Sequence, residues 1–421
     1  MSNKKRGFSD DDDDEEEYDL DLSENEKYLK SLPKHKKLKL MNLEKKILNI
    51  NSSDIPLRYK ILNSEIKDST KAIILQKILH YEQLTPFSSE YHKLKKYMET
   101  LLKIPFGKFI KLPITNKDKP KKIKKFIDRL KENLDTCTYG QSEAKQSIIN
   151  IIGKWISNPN SKSMALGLCG PPGVGKTSLI KNGLSKSLNI PVSFIPLGGS
   201  ANGASLEGHD YTWEGSKCGR IVEILVESKC MNPIIFFDEL DKISETKHGE
   251  EITGILTHLT DVTQNNCFND KYFSGIDFDI SKSLLIFSFN NIEKINPILK
   301  DRLNIVNIDG YDIKEKINIA KKFSFQKICN NINFKSENII IDDNIYEYII
   351  KNYTQNEKGL RKLEECIEKI IMKYNLYELT EDISNFFGIQ HQKPLKLDTL
   401  IVDKILKKES VDKLPLPTMY L

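Results

Sequence analysis

The chain has 421 residues, 39% hydrophobic and 29% charged, with a formal net charge of +5. This is the composition of a water-soluble globular protein with room for two or three domains, and no run of about 18 apolar residues offers a membrane span. Seven scattered cysteines, never in CxxC spacing, argue against zinc and disulfides and for a reducing, intracellular and cytoplasmic setting. The polar N-terminus does not read as a signal peptide, and the histidines form no ligand cluster.

Residues 1–50 read as a tail without a fixed fold. Lys4-Lys5-Arg6 precedes the acidic blocks Asp10–Asp14 and Glu15–Glu17, whose like charges repel. Such a tail either solubilises the chain or docks on a basic partner. The runs PKHKKLKL (33–40) and PKKIKK (120–125) interleave Lys with Leu or Ile, which suits amphipathic helices with a solvated basic face better than nucleic-acid contacts. A helical neck is expected over 51–118, from "IPLRYKIL", "AIILQKILHYEQL" and "SSEYHKLKKYMETLLKI". Ser88-Ser89-Glu90 after Pro86 supplies an N-cap for the last of these helices, and Pro105, Gly107 and Pro113 break the pattern.

From 119 to 310 the pattern alternates. Helical "QSEAKQSIINIIGKWI" (141–156) precedes four short apolar runs that read as buried strands: 164–170, 192–197, 233–239 and 283–290. Helical stretches at 219–228 and 251–262 lie between them, so the fold class is α/β, a parallel sheet covered on both faces. From 311 to 406 the stretches at 313–328, 343–353 and 358–377 read as a smaller helical domain, with "NIIID" (338–342) as a short strand. Residues 407–421 form a C-terminal tail.

"GPPGVGKTS" comprises Gly170, Pro171, Pro172, Gly173, Val174, Gly175, Lys176, Thr177 and Ser178, and it follows a strand and opens a helix. Glycines let successive backbone N–H groups turn inward into an anion nest at a helix N-terminus. In this pattern the lysine reaches the β- and γ-phosphates of ATP and the Thr177 hydroxyl ligates Mg²⁺. "IIFFDE" then delivers Asp238 and Glu239 at the carboxyl end of a strand, where open α/β sheets bind ligands. Asp238 suits the metal, and Glu239 suits polarisation of an attacking water, which hydrolysis requires and nucleotide storage does not.

With these residues in place, the stretch from about 80 to 406 resembles the AAA+ ATPase module of Lon-type proteases. "GPPGVGKTSL" is the family's P-loop. "PLGGS" with "EGHDYTWEGSKCGRI" resembles its LGG…RGHRRTYIGxxPGRI, and "NPIIFFDELDKI" its NPxFLLDEIDKM. "DVTQNNCFNDKYF" resembles DPEQNxxFxDHYL, and "NPILKDRLNIVNIDGY" resembles APLLDRMEVIxLxGY. Upstream, "YMETLLKIPFGK" and "LDTCTYGQSEAKQSI" resemble the family's neck helix and the LDxDHYGLxxVK helix that leads into the module. The resemblance implies a sensor-1 role for Asn290, an arginine finger at Arg302 that reaches a neighbouring subunit, and nucleotide contacts from Tyr139 and Lys358. It also implies a pore-loop aromatic at Trp213 that grips a polypeptide, and a homo-oligomeric, hexameric ring.

Four departures qualify it. The family's Ser–Lys peptidase domain would begin near residue 410, so no peptidolysis is expected from these residues alone, and most of the family's N-terminal domain has no counterpart. Lys358 stands for the sensor-2 arginine, with Arg361 as a substitute. Glu207 and Glu214 replace an arginine and an apolar residue near the pore loop. A protein-remodelling motor is the leading reading; a nucleic-acid loader or translocase and an ATP-dependent assembly scaffold are the alternatives.

Overall fold

Short apolar runs without alternation are what a strand covered on both faces requires, and such runs build the centre of one parallel sheet. The computed structural model describes residue 28 and residues 31–51, 56–162, 164–199, 202–213, 215–380 and 394–406. The acidic blocks, Glu214 and the tail from 407 lie outside the described residues. The chain divides into two units, Met1–Asn63 and Ser64–Leu421. The first contributes α1 (Lys34–Asn51), which contains most of the first lysine-rich run, and α2 (Leu57–Leu62). The sheet and every site residue belong to the second.

In the second unit, α3 (Asp68–Gln83) and α4 (Ser89–Leu101) come first, and the Ser88 hydroxyl caps α4 by accepting the N–H of Tyr91 at 3.1 Å. Next is α5 (Pro120–Cys137), with proline in its first turn, where a missing N–H costs nothing. Its lysines 121, 122, 124 and 125 are exposed while Leu130 and Leu134 are buried, the solvated basic face anticipated above. α6 (Ser142–Ser157) buries one face of isoleucines and leads into the sheet.

The strands are β1 (Ala165–Cys169), β2 (Val192–Pro196), β3 (Ile234–Asp238), β6 (Leu284–Phe289) and β7 (Leu303–Asn307), in the order β2-β3-β6-β1-β7 and all parallel. Phe237 and Phe287 stack at 4.8 Å across the β3–β6 pair. β7 was not anticipated. It is an edge strand that buries Leu303 and Val306 and exposes Asn304 and Asn307, so it lacks the continuous apolar signature. A two-residue hairpin, β4 (Phe268–Asn269) with β5 (Asp277–Phe278), was also missed.

After β1 the chain passes through the P-loop into α7, which runs Lys176–Ser178, a π-helical stretch Leu179–Ser185 and Lys186–Leu188. α8 (Arg220–Ser228) and α9 (Lys247–Thr260) complete the crossovers around β3. The last part is helical: α10 (Ile313–Ile319, continuing through a π turn to Phe325–Ile332), α11 (Asp343–Tyr353), α12 (Arg361–Thr380) and α13 (Thr399–Leu406). A capping box between Asp312 and Glu315 starts α10. Leu363, Ile367, Ile370, Ile371 and Tyr374 of α12 form its core with Ile349 and Val402. The short strand expected at 338–342 is β8 (Ile339–Ile340), paired with β9 (Leu395–Lys396).

Candidate active site

The parallel order brings the carboxyl ends of β1, β3 and β6 to one edge, and the loop Gly170–Ser178 turns there. Gly173 and Gly175 have φ of +77° and +91°, a left-handed conformation that suits glycine alone at low cost. The loop is clamped from outside. The N–H of Leu360 donates to the Gly173 carbonyl (3.1 Å), and the Tyr311 hydroxyl bonds to the carbonyls of Val174 (2.9 Å) and Tyr139 (3.2 Å). The buried Val174 side chain anchors the middle of the loop. The first N–H groups of α7 have no intrahelical acceptors and form the positive end of the helix dipole.

Lys176 opens that helix. Its ammonium donates to the carbonyls of Gly170 (2.7 Å) and Phe289 (3.1 Å) and to Asn290 Oδ1 (2.9 Å). Burial lowers its pKa, while Asp238 and Asp241 pull the other way. The result is a partly desolvated cation, which attracts anions more strongly than a fully hydrated one.

Asp238 ends β3 and is fixed there, its Oδ1 accepting the Ser288 hydroxyl and the Glu239 N–H. Glu239 sits at φ 59°, an uncommon value for a residue with a side chain, and turns the chain out of the strand with its carboxyl group exposed. A Cβ on Gly198 would lie 2.3 Å from Glu239 Oε2, so the carboxylate reaches across to the end of β2. Asp241, in the 3-10 turn Leu240–Lys242, accepts the N–H groups of Asn290 and Asn291.

One cavity of about 960 Å³ collects most of these groups, though not Asp241. Pro172 through Ser178, Tyr139, Asp238, Glu239 and Asn290 all line it, while Gly170 and Pro171 do not. Lys358 does not line it either. Its carbonyl accepts the Tyr311 N–H in the turn before α12, and its side chain is exposed. Arg361, the first residue of α12, lines the cavity instead, because the Leu360–Gly173 bond seats that helix end on the loop. Ser288, Tyr311 and Asp241 were missed by sequence reasoning; Asp241 and Tyr311 lie inside the quoted motifs and Ser288 inside the apolar run 283–290, but nothing in their spacing distinguishes them.

The two remaining candidates stand elsewhere. Arg302 Nη1 donates to the Thr257 carbonyl (3.0 Å) and to Asp261 Oδ2 (2.7 Å), and its side chain remains 33% exposed. Trp213 is 64% exposed, on a loop and not in the core. Asp210 Oδ1 accepts the N–H and hydroxyl of Thr212, and Lys93 of α4 donates to the Thr212 carbonyl at 2.7 Å. Tyr97 of α4 packs its ring 5.4 Å from that of Tyr211.

The cavity fits a magnesium-bound nucleotide. It offers an ammonium and helix-terminal amides for phosphates, with the Thr177 hydroxyl and the Asp238 carboxylate as hard oxygen ligands for the cation. Among the described residues no group of three or more His, Cys, Asp or Glu could hold a metal ion. All seven cysteines are free thiols, and no helix of the described residues is long and apolar enough to cross a membrane.

Comparison with known proteins gives a family for this geometry. Residues 166–309 match the model of the ATPase family associated with various cellular activities (AAA). A Lon protease homolog of Acanthamoeba polyphaga mimivirus is 35% identical over 340 residues, 79% of this chain and 32% of that protein. Lon protease of Mycoplasma genitalium is 32% identical over 356 residues (85% and 42%), and that of Clostridium acetobutylicum 33% over 357 (84% and 44%). The chain thus spans 32% to 44% of the length of these curated relatives. The AAA match begins on β1 and runs through the P-loop, Asp238 and Asn290 to the end of β7, so residues 166–309 carry an AAA module, and the chain around it is similar to part of the Lon proteases.

Proposed function

We propose that this chain hydrolyses ATP and uses the cycle to pull or unfold a polypeptide through a ring, most simply a hexamer, of its own copies. The observation that carries this reading is the convergence of Lys176, Asp238, Glu239 and Asn290 on one cavity from three separate strand ends. Lys176 and the loop amides take the β- and γ-phosphates, the ammonium exchanging its present oxygen partners for phosphate oxygens. A Mg²⁺ ion held by Thr177 and Asp238 would neutralise charge on the phosphates. Glu239 accepts a proton from the attacking water, and Asn290 orients that water.

Tyr139 borders the nucleotide, and Arg361, on the first turn of α12, takes the place proposed from sequence for Lys358. That assignment makes residues 311–406 a lid over a core of 119–310, with 51–118 as the neck. Arg302 acts on the nucleotide of the next subunit, which requires head-to-tail assembly closing into a ring. Within one chain it bonds only through Nη1 among the described residues, so part of the guanidinium is available. The exposed Trp213 serves as the grip on substrate, since a large rigid aromatic contacts backbone and varied side chains alike. We attribute no peptidolysis to these 421 residues.

The test is ATPase activity of wild type and Trp213→Ala with an unfolded protein or single-stranded DNA added. Stimulation of wild type by the protein, absent in the variant with basal rate intact, supports the motor. Stimulation by DNA alone favours a nucleic-acid translocase, and no effect of either polymer favours an assembly scaffold.

A further inference from the structure

Asp241 lies two residues beyond Glu239 and is only 7% exposed. Its Oδ2 accepts the N–H groups of Asn290 (3.2 Å) and Asn291 (3.1 Å). Its Oδ1 is equally buried and has no hydrogen-bond partner among the described residues. A carboxylate oxygen withdrawn from water and left unpaired costs free energy, and a neutral side chain could have capped two amides more cheaply. What the charge gains is its surroundings. Its field acts on the Lys176 ammonium, and that ammonium donates to the side chain of Asn290, whose backbone Asp241 holds. One line of contacts therefore runs from the turn after Glu239, through the end of β6, to the P-loop.

We propose that Asp241 is a positioning residue for hydrolysis: it locks the Asn290–Asn291 backbone to the turn carrying Glu239, so that base and carboxamide address the same phosphate. The proposal rests on the roles given above to Glu239 and Asn290. If Asp241 served only to stabilise the fold, its loss would lower stability and leave the relation to Asn290 unchanged. If it positions Asn290, its loss matters only while Asn290 is there to be positioned.

The experiment measures kcat and KM for ATP in wild type, Asp241→Asn, Asn290→Ala and the double variant, with hydrogen exchange of the 290–291 amides. Asp241→Asn should lower kcat about 10- to 100-fold, the range seen when a group that orients a reacting ligand is lost, with KM unchanged. It should speed exchange of those amides and add little to the loss in the Asn290→Ala background. A wild-type kcat in Asp241→Asn, or losses that multiply fully in the double variant, overturns the proposal while leaving the reading of the site intact. A wild-type rate in Asn290→Ala overturns both. If Asp241→Asn does not fold, Asp241→Ser is measured in the same way; failure of both to fold assigns the residue to the scaffold and overturns the proposal.

Discussion

Gly198 follows β2 with nothing between it and the carboxylate of Glu239. A methyl group placed there would sit 2.3 Å from Glu239 Oε2 and 3.4 Å from Glu239 Cδ and Lys242 Cβ. Non-bonded carbon and oxygen settle near 3.3 Å, so Gly198→Ala forces the oxygen back by roughly 1 Å. The displaced atom is the end of an exposed, flexible side chain, and the backbone at Gly198 is not left-handed, so the fold absorbs the change. Removing a glycine even stiffens the unfolded chain, worth about 0.4–1 kcal/mol of stability. Catalysis is less forgiving, because a misplacement of about 1 Å costs on the order of 100-fold. Gly198→Ala should therefore keep or slightly raise the unfolding temperature, leave nucleotide affinity unchanged and lower kcat by about two orders of magnitude. Thermal unfolding and steady-state phosphate release measure the two sides. A kcat within twofold of wild type would show that the carboxylate placement is not what limits turnover, and would refute the reasoning.

Two further outcomes are expected. Arg302→Ala should abolish most turnover while monomer nucleotide binding survives, and subunits carrying it should regain activity at shared interfaces when mixed with Lys176→Ala; undiminished hydrolysis by pure Arg302→Ala removes the finger assignment. Asp270 is fully buried, and that burial pushes its pKa up to about 7 although the N–H groups of Gly219, Tyr272 and Phe273 pull it down. With its folded pKa above the ordinary 3.8, the group's stabilising contribution is complete below about pH 4 and is lost as pH rises toward about 7. Thermal unfolding across that window should fall less steeply in Asp270→Asn than in wild type, and equal slopes would contradict the shift.

Much of this architecture is legible in the sequence for a physical reason. β1, β3 and β6 are buried on both faces and so consist mostly of apolar residues, and the glycines and lysine of the loop between 170 and 178 have few other uses after a strand. β7 escaped because this edge strand buries only Leu303 and Val306, and its exposed asparagines read as loop. Trp213 stands between Thr212 and Glu214, neighbours too polar for a core strand, and it is exposed. The tie between the neighbouring Thr212 carbonyl and Lys93 spans 119 residues of sequence and is visible only in three dimensions. That Arg361 lines the cavity and Lys358 does not goes with one backbone bond, Leu360 to Gly173, that no side-chain pattern encodes. Asp241 looks like one more surface carboxylate in "DELDK"; its burial is decided by two amides 49 and 50 positions away.

The central claim is that this chain hydrolyses ATP with Glu239 as the group that activates water. Its most direct test is ATP binding and phosphate release by wild type and Glu239→Gln measured side by side, with Lys176→Ala as the variant that should not bind. The account predicts that wild type binds and turns over ATP, while Glu239→Gln binds it and releases no phosphate above background. Phosphate release by Glu239→Gln at the wild-type rate, or no turnover by wild type in any assembly state, would contradict it.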